Sequence, residues 1–475
     1  MPILLPKWFY RTVAQGATME QAGLLWAAQE CNSAEFGDER LTPRLIRLVT
    51  ALAEHPGESI PVALGDWHQV KAGYRFFDNP KVTSNAIIAA HAKATAERLK
   101  GQNIVLAAQD TSGVSLNTHE ATQGLGPIGP EGSRGLFVHS CLAGRIDGTP
   151  LGLLHQKIWT RIETGADGAK ESERWIEGMR ACKARMPQGT RLVMVGDREN
   201  DFFGYFAAVA EEQVDAIVRA AHDRKLKGQY PSLAMALAAA APVGTLTVTV
   251  SRTPEHPERE ATLALYTTSV ELPPTTSYHG SRKDAVALNV VCAYELNAPS
   301  EVKEPIRWIL FTTLPVADVE QTALVVRWYS LRWRIERFHY VLKEGCHIES
   351  LQLQTARRLE NAIATFSIVA WRILWLTYEA RQNPDAPCTS ALSALEWKAL
   401  VLAMYQRKLL KGQHAPQKPP SLATAIMYIA RLGGFLARKG DGDPGVKTIW
   451  RGWQNLQNRV AMLEAAQLSG LLGGA

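Results

Sequence analysis

Three acidic residues and a short run of cations carry the chemistry in this sequence. Asp110 follows the apolar run Ile104-Val105-Leu106-Ala107-Ala108-Gln109, Asp197 follows Arg191-Leu192-Val193-Met194-Val195-Gly196, and Glu336 lies within residues 329–343 beside Tyr329, Arg332 and Lys343. Carboxylates supplied by separate elements can hold divalent cations, and cations next to them can hold phosphates. The chemistry such a set could perform is metal-dependent phosphoryl transfer. Each acid also has an ordinary explanation. Asp197 could cap a following helix, Asp110 could stabilise a turn, and Glu336 could form a surface i,i+4 pair with Arg332 worth about 0.3 kcal/mol. Taken together, three acids from three elements favour the chemical reading.

The elements that must position them follow from patterning. Residues 329–343 contain no Pro or Gly and are read as one helix. At about 100° per residue, Leu331, Ile335, Phe338 and Leu342 fall on a packing side, while Tyr329, Arg332, Glu336 and Lys343 share an opposite arc of roughly 60°. The two apolar runs before the aspartates are read as strands of an α/β unit, ending where the polypeptide turns out of the sheet. Open α/β sheets bind ligands at those carboxyl ends.

The rest of the central unit follows the same alternation. Strands are expected over 136–144, 151–160 and 214–219, helices over 170–186 and 202–212, and a Gly- and Pro-rich loop over 123–134. Segments 245–251, 261–272 and 286–294 alternate in the β manner and read as an antiparallel insertion, after which the chain rejoins the core at 306–311. Beyond Lys343 the chain reads as helical over 359–381, 391–410 and 423–436, with a basic, Pro-rich link at 411–420. Before the α/β unit, residues 37–48 read as a capped helix with Arg40, Arg44 and Arg47 on one face, and 67–77 as a second helix holding aromatic and basic residues. Spaced arginines on a small helical unit suit phosphates or base edges, although such surfaces are also common solvent faces.

Composition bounds the function. A chain of 475 residues, 46% hydrophobic and 21% charged, supports several cored units. A net charge of +6 suits a polyanionic partner without establishing one. Six scattered cysteines with no Cys-x-x-Cys pair argue for reduced thiols in a cytosolic protein and against a zinc ribbon, and Cys346-His347 reads as a buried thiol beside a surface imidazole. Pro6 and Lys7 interrupt the apolar opening too early for a signal-peptide core. The most apolar stretch, 362–376, carries Arg372, is short for a membrane span and reads as a buried helix. A cytoplasmic protein with no membrane partner is expected.

The set Tyr329, Arg332, Glu336, Lys343, the strand ends Ala107-Ala108-Gln109-Asp110-Thr111-Ser112 and Val195-Gly196-Asp197-Arg198-Glu199, the segment Gly152-Leu153-Leu154-His155-Gln156, and the tail Ile429-Ala430-Arg431-Leu432-Gly433-Gly434-Phe435 together resemble the DDE transposases of the bacterial insertion-sequence-four family. The likeness runs from about Gly37 to Leu456. It implies an α/β fold with an RNase H-like catalytic core (100–358) carrying an antiparallel β insertion at about 228–303, a helical N-terminal DNA-binding domain (1–99) and a helical C-terminal dimerisation domain (359–475).

By the same resemblance, Asp110, Asp197 and Glu336 would be the catalytic, metal-binding triad for two Mg²⁺ ions, for which Mn²⁺ may substitute. Tyr329, Arg332, Lys343 and Arg219 would hold DNA near the cut, and Trp308 would clamp a flipped base. Arg40, Arg44 and Arg75 would touch the element's end. The implied activity is cut-and-paste transposition by a homodimer in a synaptic complex, acting on inverted-repeat ends through a hairpin and joining 3′ ends to target DNA. Leu41 and Asn117 stand where the family has basic residues, which bears on the end sequence recognised. Two other readings stay open: a non-catalytic DNA-binding inhibitor of transposition, and an RNase H-like metal nuclease without strand transfer.

Overall fold

The computed structural model describes residues 26–129, 132–161, 172–250, 259–276, 278–410 and 418–468. Its centre is a ten-stranded sheet built from β1 (Ile104–Ser115), β2 (Gly126–Pro127), β3 (Arg134–Gly144), β4 (Pro150–Trp159), β5 (Arg191–Gly196), β6 (Asp215–Arg219), β7 (Ala241–Val250), β8 (Arg259–Leu272), β9 (Val286–Leu296) and β10 (Arg307–Thr312). The order is β2-β3-β1-β5-β6-β10-β9-β8-β7, with β4 on β3. Strands β1, β5 and β6 run parallel and all other pairings are antiparallel. The segment read as an insertion therefore extends the core sheet: β10 pairs with β6 on one side and β9 on the other.

Two expectations are corrected here. Strand β1 does not end at Asp110 but continues to Ser115, because residues 110–115 keep an antiparallel ladder with β3 after β5 has stopped. Residues 329–343 are not one helix. Tyr329 lies in the last turn of α8 (Val319–Ser330), Glu336 lies in α9 (Trp333–Tyr340), and Lys343 lies in a π turn over Val341–Gly345. Between α8 and α9 the backbone tightens to i→i−3 bonds, with the Arg332 N–H donating to the Tyr329 carbonyl and the Ile335 N–H to that of Arg332.

Helices cover both faces of the sheet. One face packs on helices over Glu173–Lys183 and Phe203–Glu212, through Leu99, Trp175, Met179, Phe203 and Phe206. The first of these carries Glu173 in its first turn and makes no side-chain cap bond at Ser172, and Lys170 lies outside the described residues. The other face carries α8 and α9, and behind them the helix Ala356–Gln382. That helix is long and apolar enough to cross a membrane, but 83% of its most apolar window is buried inside this protein, where it is a core helix.

The N-terminal unit comprises helices Leu41–Glu54, Ile60–Leu64, Trp67–Asp78 and Ser84–Leu99. The first starts later than expected and has no side-chain cap, because the Asp38 carboxylate takes the Arg40 N–H and guanidinium instead. Leu41 is a core residue there. A buried cluster joins this unit to the sheet: Glu30 pairs with Arg98 at 2.6 Å and with His91 at 2.7 Å, while His91 Nε2 accepts the Leu153 N–H. Burial alone would raise Glu30, yet Arg98 and His91 hold its pKa down to about 2. The C-terminal helices are Ala394–Gln406, Leu422–Leu432 and Val446–Leu468, of which the last was not anticipated. All six cysteines are free and buried, and His347 beside Cys346 is exposed.

Candidate active site

The sheet register aligns the first two acids. Ala108 pairs with Val195 in the parallel β1–β5 ladder, and Gly196 with Val218 in β5–β6. Carried forward along each ladder, these registers set Asp110 abreast of Asp197 and Asp197 abreast of Arg219, across strands about 4.8 Å apart. Alternation puts Asp110 on the face of Leu106 and Ala108, the one that α8 and α9 cover. Asp197 also performs the local task considered for it, accepting the Glu199 N–H at 2.8 Å at the head of a short 3₁₀ turn.

Helix α9 brings Glu336 to the same place, and the electrostatics record the convergence. Burial raises the pKa of Asp197 and the charge of Asp110 raises it further, against the Glu199 N–H, Arg332 and Arg219. Burial likewise raises Glu336, Arg332 opposes this, and both Asp110 and Asp197 push it further up. Carboxylates that feel one another's charge in a partly desolvated place favour either a shared proton or a bound cation.

Around them lie the residues singled out as phosphate contacts. Arg332, with only 8% of its side chain exposed, donates Nη2 to Glu336 Oε1 at 2.5 Å. Tyr329 is 1% exposed and its ring meets Trp308 edge-on at 5.2 Å, with Trp308 half-buried on β10. Among the described residues the buried Tyr329 hydroxyl and Arg332 Nε make no hydrogen bond of ordinary geometry, although the two side chains interact with each other. Tyr329 and Arg332 thus form no solvated face; their burial is the reverse of the ordinary reading of a charged stripe. Lys343 stands apart from Glu336 across the π turn, donating to the Gly113 carbonyl at 2.9 Å and pairing with Glu349 at 3.2 Å. Arg40 is paired with Asp38 and largely exposed, Arg44 donates to Gln69 at 2.7 Å, and Arg75 is exposed at the end of its helix; these three belong to the N-terminal unit. Asn117 accepts the Arg134 N–H and pins a loop.

One neighbour escaped the sequence reading. His339, one turn after Glu336, sets Nδ1 3.4 Å from Asp110 Oδ2 and Nε2 3.2 Å from Ser140 Oγ. An i+3 offset from Glu336 was the available signal.

The donor set suits a hard divalent cation: three carboxylates, with the nearest imidazole turned to Asp110. Among the described residues no three of Asp, Glu, His and Cys stand close enough to enclose an ion as they are. Arg332 holds Glu336 through Oε1 and takes no part of Oε2.

Three family models match the chain. They are Transposase DNA-binding over residues 24–82, Transposase DDE domain over residues 153–371, and Transposase Tn5 dimerisation domain over residues 368–469. The DDE match contains Asp197 and Glu336 and begins beyond Asp110.

Proposed function

Since the chain belongs to the Tn5-like DDE transposases and is a DNA-binding, dimer-forming enzyme of that family, we propose that it cuts and pastes DNA, with Asp110, Asp197 and Glu336 as its catalytic triad. The observation that carries this reading is the gathering of three carboxylates from β1, the end of β5 and α9, with the sheet register setting Asp110 abreast of Asp197 and Glu336 close enough to feel the charge of both. Divalent ions held there, Mg²⁺ or Mn²⁺, would activate the attacking oxygen and stabilise the leaving one.

The chain's own groups do the positioning. The Tyr329 hydroxyl and Arg332 Nε, with no partner but each other, are buried donors that a phosphate oxygen would satisfy, and Arg219 adds a cation abreast of Asp197. Held phosphates make each step an in-line displacement at phosphorus with little entropy left to lose. Water attacks first and frees the element's 3′ oxygen. That hydroxyl then attacks the opposite strand, closing a hairpin while the old phosphodiester's leaving oxygen departs. A second water reopens the hairpin, and the 3′ hydroxyl finally attacks target DNA. The half-buried Trp308 ring beside Tyr329 suits a base lifted out of the stack during the hairpin step. Lys343 secures the end of β1 and reaches DNA when its bond to Glu349 opens. Arg40, Arg44 and Arg75 engage the inverted-repeat end, and two copies meet through the C-terminal helices in the synaptic complex.

The test is incubation of the purified protein with Mg²⁺ and a DNA fragment bearing the element's terminal inverted repeats. Hairpin ends and joined products are expected. Binding without cleavage would instead indicate an inhibitor, and cleavage without joining a nuclease.

A further inference from the structure

A chain of buried polar side chains runs behind Asp110. Gln156 on β4 donates Nε2 to Ser140 Oγ at 3.1 Å; Ser140, abreast of Asp110 in the β1–β3 ladder, lies 3.2 Å from His339 Nε2; and His339 Nδ1 lies 3.4 Å from Asp110 Oδ2. Gln156, Ser140 and His339 are 3%, 0% and 5% exposed, and among the described residues Gln156 Oε1 and His339 Nδ1 are left without a hydrogen bond. Gln156 belongs to the segment 152–156, for which no step of the proposed reaction has a use.

Donor and acceptor counting gives the chain a direction. Ser140 Oγ accepts from Gln156, which leaves its own proton free for His339 Nε2. A bare Nδ1 would then oppose the carboxylate's lone pairs at 3.4 Å, so the ring proton sits on Nδ1 and faces Asp110. Among the described residues Nδ1 makes no hydrogen bond, so its approach to Asp110 Oδ2 at 3.4 Å is an electrostatic contact. The same helix face thus delivers Glu336 and, one turn later, an imidazole beside the aspartate opposite.

We infer that His339, held by Ser140 and Gln156, is a positioning residue that orients the Asp110 carboxylate for metal binding. The inference rests on the proposed metal site. Its premise is that a carboxylate with one oxygen pinned from behind presents the other in a fixed direction, whereas a free one must be ordered by the ion itself.

The test reads Mn²⁺ binding to the full chain by electron paramagnetic resonance, with the melting temperature recorded alongside. His339→Ala is expected to weaken Mn²⁺ binding about tenfold. His339→Asn, whose amide can still donate to Asp110, is expected to recover most of that loss. Ser140→Ala should weaken binding less and add nothing further in the His339→Ala background. The inference is overturned if Asp110→Ala loses Mn²⁺ while His339→Ala binds as the wild type does, or if the Asn variant is no better than Ala at equal melting temperature. If Asp110→Ala and Asp197→Ala themselves bind Mn²⁺ normally, the metal-site reading fails first and takes the inference with it.

Discussion

Removing the Arg332 guanidinium should destabilise the protein and weaken its hold on DNA by separable amounts. Arg332 is 8% exposed at the side chain and Glu336 33%, with 2.5 Å between Nη2 and Oε1. Breaking a fully buried pair costs about 3–5 kcal/mol, whereas exposed pairs are worth about 0–1 kcal/mol. A pair with one end buried and the other one-third open falls between, and Arg332→Ala should cost about 2 kcal/mol, part of it lost packing of the arginine stem. Much of that cost is the stranded charge of Glu336, whose pKa burial already raises. Adding Glu336→Gln in the same chain should therefore restore about 1 kcal/mol, a coupling that a double-mutant cycle on thermal or denaturant unfolding reads directly. In parallel, losing one charge-assisted contact to phosphate should weaken DNA binding about 10- to 100-fold and lower the salt slope by about one. Additive unfolding energies, or an unchanged salt slope, would refute the reasoning.

Two other outcomes follow from the same geometry. Asp197 has its folded-state pKa raised, so its contribution to stability is complete below the unfolded value near 3.8 and is lost as pH rises through the folded value; Asp197→Asn should melt about 1–3 °C above the wild type at pH 7, a gap that closes towards pH 4. Gly452, on the helix Val446–Leu468, lies where an added Cβ would fall onto the Ile429 carbonyl oxygen of the neighbouring helix. Gly452→Ala should cost about 2 kcal/mol and shift the monomer–dimer balance measured by analytical ultracentrifugation, while Gly434→Ala, with nothing within 4 Å but φ at +96°, should act through backbone strain alone.

Much of this arrangement was legible in the chain, for physical reasons. The strand Arg191–Gly196 is an unbroken apolar run flanked by polar turns, which is how a strand buried on both faces reads. Asp197 at its end was therefore visible. The reach of β1 past Asp110 was not, because the mostly polar residues 110–115 stay in the sheet through a partner strand twenty to thirty residues away. The β6–β10 pairing that merges the insertion with the core spans almost a hundred residues and has no local trace. The break between α8 and α9 was hidden since Leu331 and Arg332 keep helical dihedrals and only their hydrogen bonds tighten. His339 escaped because its contacts with Ser140 and Asp110 join residues some two hundred apart in the chain. The helix Val446–Leu468 was missed because the buried Gly452 and Gln457 interrupt its apolar face.

The central claim is that Asp110, Asp197 and Glu336 ligate the same catalytic ions, and a change of ligand tests it most directly. Cleavage of end-bearing DNA by Asp197→Cys should fall to background in Mg²⁺, which a thiolate binds poorly, and return in Mn²⁺. Wild-type cleavage by that variant in Mg²⁺, or a Mn²⁺-to-Mg²⁺ ratio equal to that of the unaltered enzyme, would contradict the account.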